Sequence, residues 1–149
     1  MSSRYIIIAS KFNDLITKHL IQGAKELFAE AGLQESDVDL VWVPGAFELP
    51  IAAARAAKTR GYAAVICLGA VIRGETPHFD YVCDQAASGI MRTSLESGVP
   101  VMFGVLTTDT AEQALGRCGI KGGNKGRDCA AAAMATVKAL QQIDKLANR

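Results

Sequence analysis

Charge of one sign is what this 149-residue chain most plainly lacks: sixteen Lys and Arg stand against fifteen Asp and Glu, for a net charge of +1. A protein that grips nucleic acid through its phosphates needs a marked excess of cations, so no nucleic-acid partner is expected. Long apolar runs are missing too. The longest, Tyr5 to Ala9 and Ala63 to Ile72, fall to half or less of the roughly 20 residues a membrane span requires, so no membrane is expected. The opening residues, Met1 to Ile8, hold no basic region, long apolar stretch or small-residue cleavage site. Secretion is therefore not expected, and the cytoplasm is the expected compartment. The four cysteines, Cys67, Cys83, Cys118 and Cys129, form no Cys-x-x-Cys pair, and His19 and His78 lie too far apart for a local metal motif. Reduced, mostly buried thiols and no metal are expected. Nucleotide fingerprints are absent as well: no G-x-G-x-x-G follows the first apolar run, and Lys121 to Gly126 lacks the spacing of a phosphate-binding P-loop.

With 50% hydrophobic and 21% charged residues, the chain has the composition of one globular domain spanning 1–149. Short β-branched runs alternate with segments of helical period, which is the pattern of a parallel sheet covered by helices. Four strands are predicted, at Arg4 to Ala9, Val38 to Val43, Ala63 to Val71 and Val99 to Leu106. Each is apolar almost throughout, as expected where both faces are covered. Ile16, Leu20, Ala24, Leu27, Phe28 and Ala31 mark the buried side of a first helix that Gly32 stops. Further helices are predicted over Phe47 to Thr59 and Asp80 to Glu96, with a short one to about Arg117 for which Thr107, Thr108, Asp109 and Thr110 offer capping oxygens, and a last one after Gly126. The order βαβαβαβαα and right-handed crossovers favour an α/β, flavodoxin-like three-layer sandwich. Its four-stranded parallel sheet would run 2-1-3-4 with helices on both faces.

Ligands of such sheets bind beyond the carboxyl ends of the strands, where strand order reverses. The chemically informative residues fall there. Strand one ends at Ser10-Lys11-Phe12-Asn13, strand two at Pro44 to Glu48, and strand three at Arg73 to His78. His78, in a predicted loop, can both accept and donate a proton near neutral pH, or can simply bond a backbone group at a helix entry. His19, among Lys18 and Gln22, reads as a surface residue. Phe12 and Phe47 offer rings to a planar ligand, or anchor loops. Asn13 can cap a helix and Glu48 can complement a helix dipole, but both also stand at the binding edge. Gly74, Glu75 and Thr76 precede a helix, and their N–H groups and the Thr76 hydroxyl can hold an anion, provided the Glu75 carboxylate points away. Arg117 suits a phosphate, or with Lys121 neutralises a helix end. Because it follows strand four, it points to a site completed by a neighbouring subunit.

Five motifs in order resemble one family. They are Ser-Lys-Phe-Asn at 10–13, Pro-Gly-Ala-Phe-Glu-Leu-Pro at 44–50, Gly-Ala-Val-Ile-Arg-Gly-Glu-Thr-Pro-His-Phe-Asp-Tyr-Val at 69–82, Phe-Gly-Val-Leu-Thr-Thr at 103–108, and Gly-Asn-Lys-Gly at 123–126. The chain is similar to lumazine synthases over nearly its whole length. The resemblance implies condensation of a ribitylaminouracil with a dihydroxybutanone phosphate, the penultimate step of riboflavin synthesis, with no cofactor. By matching position, Phe12 stacks on the pyrimidine with Asn13 nearby, and Ala46, Phe47 and Glu48 hold the ribityl chain. The backbone around Val71 and Ile72 reads the pyrimidine edge. Gly74, Glu75 and Thr76 contact phosphate, and His78 transfers protons. Phe103, Arg117 as phosphate clamp, Lys125 and Asp128 come from the adjacent subunit.

The resemblance further implies a homo-oligomer, a pentamer that in some relatives builds a shell of sixty subunits, and riboflavin synthase as a possible partner. The N-terminus is shorter than in many relatives, whose extra segment adds a strand to a neighbour's sheet, so the pentamer is expected more firmly than the shell. Two other classes compete. A non-catalytic flavin- or lumazine-binding or storage shell predicts loss of His78 or Arg117, and both are present. A flavodoxin-like carrier needs a Thr-rich phosphate loop after the first strand and a signalling phosphoacceptor an acidic cluster at the strand ends, and neither is there.

Overall fold

The computed structural model describes residues 4–149, so the first three residues of the opening stretch lie outside the described residues. Four parallel strands form one sheet: β1 (Tyr5–Ser10), β2 (Val38–Val43), β3 (Ala64–Ile72) and β4 (Val101–Thr108), in the order β2-β1-β3-β4. This is the predicted topology. The crossovers are α1 (Asp14–Glu30), α2 (Leu49–Lys58) and α3 (His78–Ser97), followed after β4 by a short α4 (Ala111–Leu115) and a long α5 (Lys125–Ala147). Residues Ala46–Glu48 form a single 3₁₀ turn ahead of α2.

The side-chain alternation of the strands divides the core between two helical layers. On one face Ile7 and Ala9 of β1 and Ile66 and Leu68 of β3 pack with Leu20, Ala24 and Phe28 of α1 and Ala130 and Ala133 of α5. Tyr5 and Phe28 meet there with ring centroids 4.8 Å apart. On the other face Ile6, Ile8, Val65 and Val105 pack with Ala53 and Ala57 of α2 and Ala86 and Ile90 of α3. Each fully buried Leu, Ile or Phe contributes about 2 kcal/mol through removal from water, so both layers are held mainly by burial.

Helix ends follow local chemistry. Beyond α1, Gly32 takes φ 95°, and the next N–H, of Leu33, closes on the Phe28 carbonyl at 3.0 Å. Gly98, at φ 71°, ends α3. The Thr110 hydroxyl caps α4 by accepting from Gln113 N–H at 3.1 Å. The 123–126 motif has a packing role. Asn124 Oδ1 caps α5 by accepting from Arg127 N–H at 3.0 Å, while its Nδ2 donates to the carbonyls of His19 and Cys118, each at 2.9 Å. A Cβ on Gly126 would overlap the Leu20 carbonyl oxygen, and one on Gly23 would overlap the Asn124 amide. The Asn and Gly of this motif therefore set the approach of α5 to α1. Arg127 then closes the pair with both guanidinium nitrogens on the Glu30 carboxylate, at 2.6 and 2.8 Å.

Two boundaries differ from the sequence reading in ways that bear on the site. β4 starts and ends two residues later than expected, because Pro100 has no N–H to give a ladder and the β-branched Thr107 and Thr108 extend the strand. α3 begins at His78, not Asp80. Pro77 stands as its N-cap at φ −69°, close to helical φ, and Thr76 Oγ1 accepts the His78 N–H at 3.4 Å. His78 is thus the first residue of a helix and not a loop residue.

Candidate active site

Strand β3 outruns β1, and the difference opens the site. Pairing of β1 with β3 stops at Ala9↔Leu68, while β3 continues to pair with β4 as far as Ile72↔Thr108. Arg73 N–H bonds the Thr108 carbonyl at 2.9 Å on the β4 side. The alternation of a strand therefore turns the backbone groups of Ala70 and Ile72 to the open side. Asn13 meets one of them, its Nδ2 donating to the Ala70 carbonyl at 2.9 Å. Asn13 stands at the N-cap of α1 but makes no side-chain cap bond, so helix capping is not its role. It adopts the left-handed conformation at φ 64°, which Asn tolerates better than most residues. Lys11 N–H and Phe12 N–H bond the Val43 and Pro44 carbonyls at 2.8 and 3.1 Å, tying this turn to the end of β2 as well.

A cavity of about 650 Å³ lies across this β1–β3 switch point. Its wall carries Phe12 and Asn13 after β1, Ala46, Phe47 and Glu48 after β2, Val71 and Ile72 at the end of β3, and Gly74, Thr76 and His78 leading into α3. Phe12 is 64% exposed and Phe47 57% exposed, so both rings are available to a planar or apolar ligand. Gly45 and Ala70 also line it, and so do Phe79, Tyr81 and Val82, which the sequence reading passed over. The signal for the last two was spacing. Tyr81 and Val82 follow His78 by three and four residues and share its helix face once the helix is known to start at 78.

Other expected residues lie elsewhere. Glu75 is exposed and is not part of the cavity wall. Phe103 sits mid-β4 against the α2/α3 core, and Arg117, Lys125 and Asp128 are exposed around α4 and the start of α5, none of them on this wall. Arg117 Nη1 reaches the Gln113 carbonyl at 3.4 Å near the end of α4, while Lys121 pairs with the Glu112 carboxylate of its first turn at 3.2 Å. The Lys125 N–H bonds the Arg117 carbonyl at 2.8 Å, which ties the start of α5 to the segment after α4. His19 is a surface residue whose carbonyl serves Asn124.

Among the described residues no lysine or arginine lines the cavity. One chain thus supplies an aromatic, amide, carboxylate and imidazole surface with no lysine or arginine on it. No group of three or more His, Cys, Asp or Glu poised for a metal ion occurs among the described residues, nor does a helix long and apolar enough to cross a membrane. The family model described as 6,7-dimethyl-8-ribityllumazine synthase matches residues 2–141.

The chain belongs to that family. Lumazine synthesis within riboflavin biosynthesis is accordingly the general setting of the chain. Burial makes the cysteines poor candidates for chemistry there: desolvation pushes the fully enclosed Cys67 thiol up to about 12, and Cys83 and Cys129 are raised by the same cause.

Proposed function

We propose that the protein condenses 5-amino-6-(D-ribitylamino)uracil with 3,4-dihydroxy-2-butanone 4-phosphate, giving 6,7-dimethyl-8-ribityllumazine with loss of phosphate and water. The observation that carries this reading is the meeting of Phe12, Glu48, the open edge of β3 and His78 around one cavity in a chain of this family. The pyrimidine stacks on Phe12 and is read by the Ala70–Ile72 backbone, while Phe47 and Glu48 hold the ribityl chain. Phosphate lies on the Gly74–Thr76 turn ahead of α3, whose N–H groups favour an anion. The ring amine forms a Schiff base with the ketone, phosphate leaves from the resulting enol, and the second amine closes the ring with loss of water. His78 moves protons in these steps. Since the substrates already react with each other, holding them together supplies much of the acceleration.

The missing cation comes from a neighbour in this reading, with Arg117 clamping phosphate and Lys125, Asp128 and Phe103 closing the pocket. Exposed apolar residues on the α2/α3 layer support an oligomer: Ile51, Met91, Tyr81 at 67% and Leu95 at 76% exposure. We infer a pentamer, able in principle to build a larger shell, acting in the cytoplasm as one domain with riboflavin synthase downstream. Product formation followed by absorbance tests the reaction. The wild type should exceed the spontaneous rate, and His78→Ala should lower that acceleration about 100-fold while leaving some activity. A folded oligomer that does not accelerate the reaction would instead be a binding or storage protein.

A further inference from the structure

The cavity's phosphate end is flanked by an arginine that the proposed chemistry leaves unused. Arg73 Nε donates to Asp109 Oδ1 at 2.8 Å, and its two terminal nitrogens face the Asp80 carboxylate at 3.4 and 3.5 Å. Its guanidinium carbon lies 4.4 Å from the centroid of Phe79, the buried ring in the cavity wall. Asp109 is itself held, its N–H donating to Gln113 Oε1 at 2.8 Å. One side chain therefore ties the end of β3 to the first turn of α3 and to the segment after β4. The residues between Arg73 and Asp80, Gly74 to His78 among them, are those that would meet phosphate and move protons.

Two carboxylates share this guanidinium, so the cluster carries a net negative charge and has no cation to spare for a dianion. Resting on the proposed reaction, we propose that Arg73 is a positioning residue: it fixes the 74–78 turn and His78 through Asp109 and Asp80, and is not itself a phosphate ligand. The alternative, an arginine waiting to swing onto phosphate, makes the opposite prediction at Asp109.

Arg73→Met should raise the KM for the butanone phosphate about tenfold, with a smaller fall in kcat. Asp109→Asn should move KM in the same direction, although it removes a negative charge. The double variant should cost no more than the worse single one, since both break one latch. Arg73→Lys should rescue little, because an ammonium cannot hold both carboxylates in the arginine geometry. A phosphate ligand would give the reverse: Asp109→Asn would free it and lower KM, and Arg73→Lys would restore it.

The same comparison is to be made by calorimetry with inorganic phosphate, which needs no turnover. Weaker phosphate binding in both Arg73→Met and Asp109→Asn supports the latch. Tighter binding in Asp109→Asn, or no phosphate binding by the wild type, overturns it. Asp80→Asn, expected to act in the same direction more weakly, serves if either variant melts well below the wild type. Failure of the wild type to form product would count against the reaction alone, because the phosphate affinities judge Arg73 separately.

Discussion

The two helical layers are held and used differently. The α1/α5 layer is locked within the chain by glycine against backbone at Gly126, an Asn124 amide bonded at both ends, and a two-point Arg127–Glu30 pair, while Leu15, Ile143 and Leu146 stay in solvent. The α2/α3 layer also leaves Ile51, Tyr81, Met91 and Leu95 in solvent and borders an open cavity whose wall, among the described residues, holds no lysine or arginine. One layer is joined to itself by specific contacts between its helices, and the other helps to wall the cavity.

That contrast can be broken first at Gly126. Gly126→Val would drive a side chain into the Leu20 backbone, which cannot move aside as a flexible side chain can, so α1 and α5 must part. A loss of about 3 kcal/mol is expected, read as a lower urea midpoint, and a midpoint near the wild type would mean that the layers are not locked there. Asn124→Ala comes next. It leaves the His19 and Cys118 carbonyls and the Arg127 N–H without their partner, for a loss of about 2 kcal/mol in the same measurement.

On the other layer, Leu95→Lys should leave the unfolding free energy from urea titration within about 0.5 kcal/mol of the wild type. Sedimentation should show smaller particles, and an unchanged size would remove this part of α3 from the subunit contact. Acid provides a finer probe. Hydrogen bonding from Arg127 holds the Glu30 carboxyl below the usual glutamate range. Its stabilisation is therefore full above the ordinary glutamate pKa and is lost as pH falls through the depressed folded value. Wild type and Glu30→Gln should differ at neutral pH and converge in acid, and parallel pH curves would contradict the pairing. The smallest effect concerns thiols. Alkylation of the folded protein should reach the partly exposed Cys83 well before Cys67, Cys118 or Cys129.

The sheet was legible because four apolar, β-branched runs separated by helical periods admit few parallel arrangements, and β2-β1-β3-β4 is among the simplest. Much of the cavity wall was legible for the same reason, since strand ends near a switch point are where ligands go. What escaped depends on register and on ends. Phe79, Tyr81 and Val82 were hidden by placing the start of α3 two residues late, because Pro77 was not read as a helix-starting residue. The Arg73–Asp109 contact spans 36 positions and follows from the Ile72↔Thr108 register, which no motif records. Asn124 and Gly126 look like a ligand loop in sequence, and only the nearness of Leu20 and Gly23 gives them a packing role. Arg117 could be placed after β4, where it stands exposed and off the cavity wall; a partner for it across subunits would be a property of an assembly and not of one chain's pattern.

The central claim is that each working site takes His78 from one copy and Arg117 from the next. It is tested most directly by unfolding and reassembling an equal mixture of His78→Ala and Arg117→Ala, each nearly inactive alone. Random assembly leaves about a quarter of the sites with both residues intact, so the mixture should recover about a quarter of wild-type activity. A mixed assembly no more active than the average of its parents would contradict the claim and place the whole site within one chain.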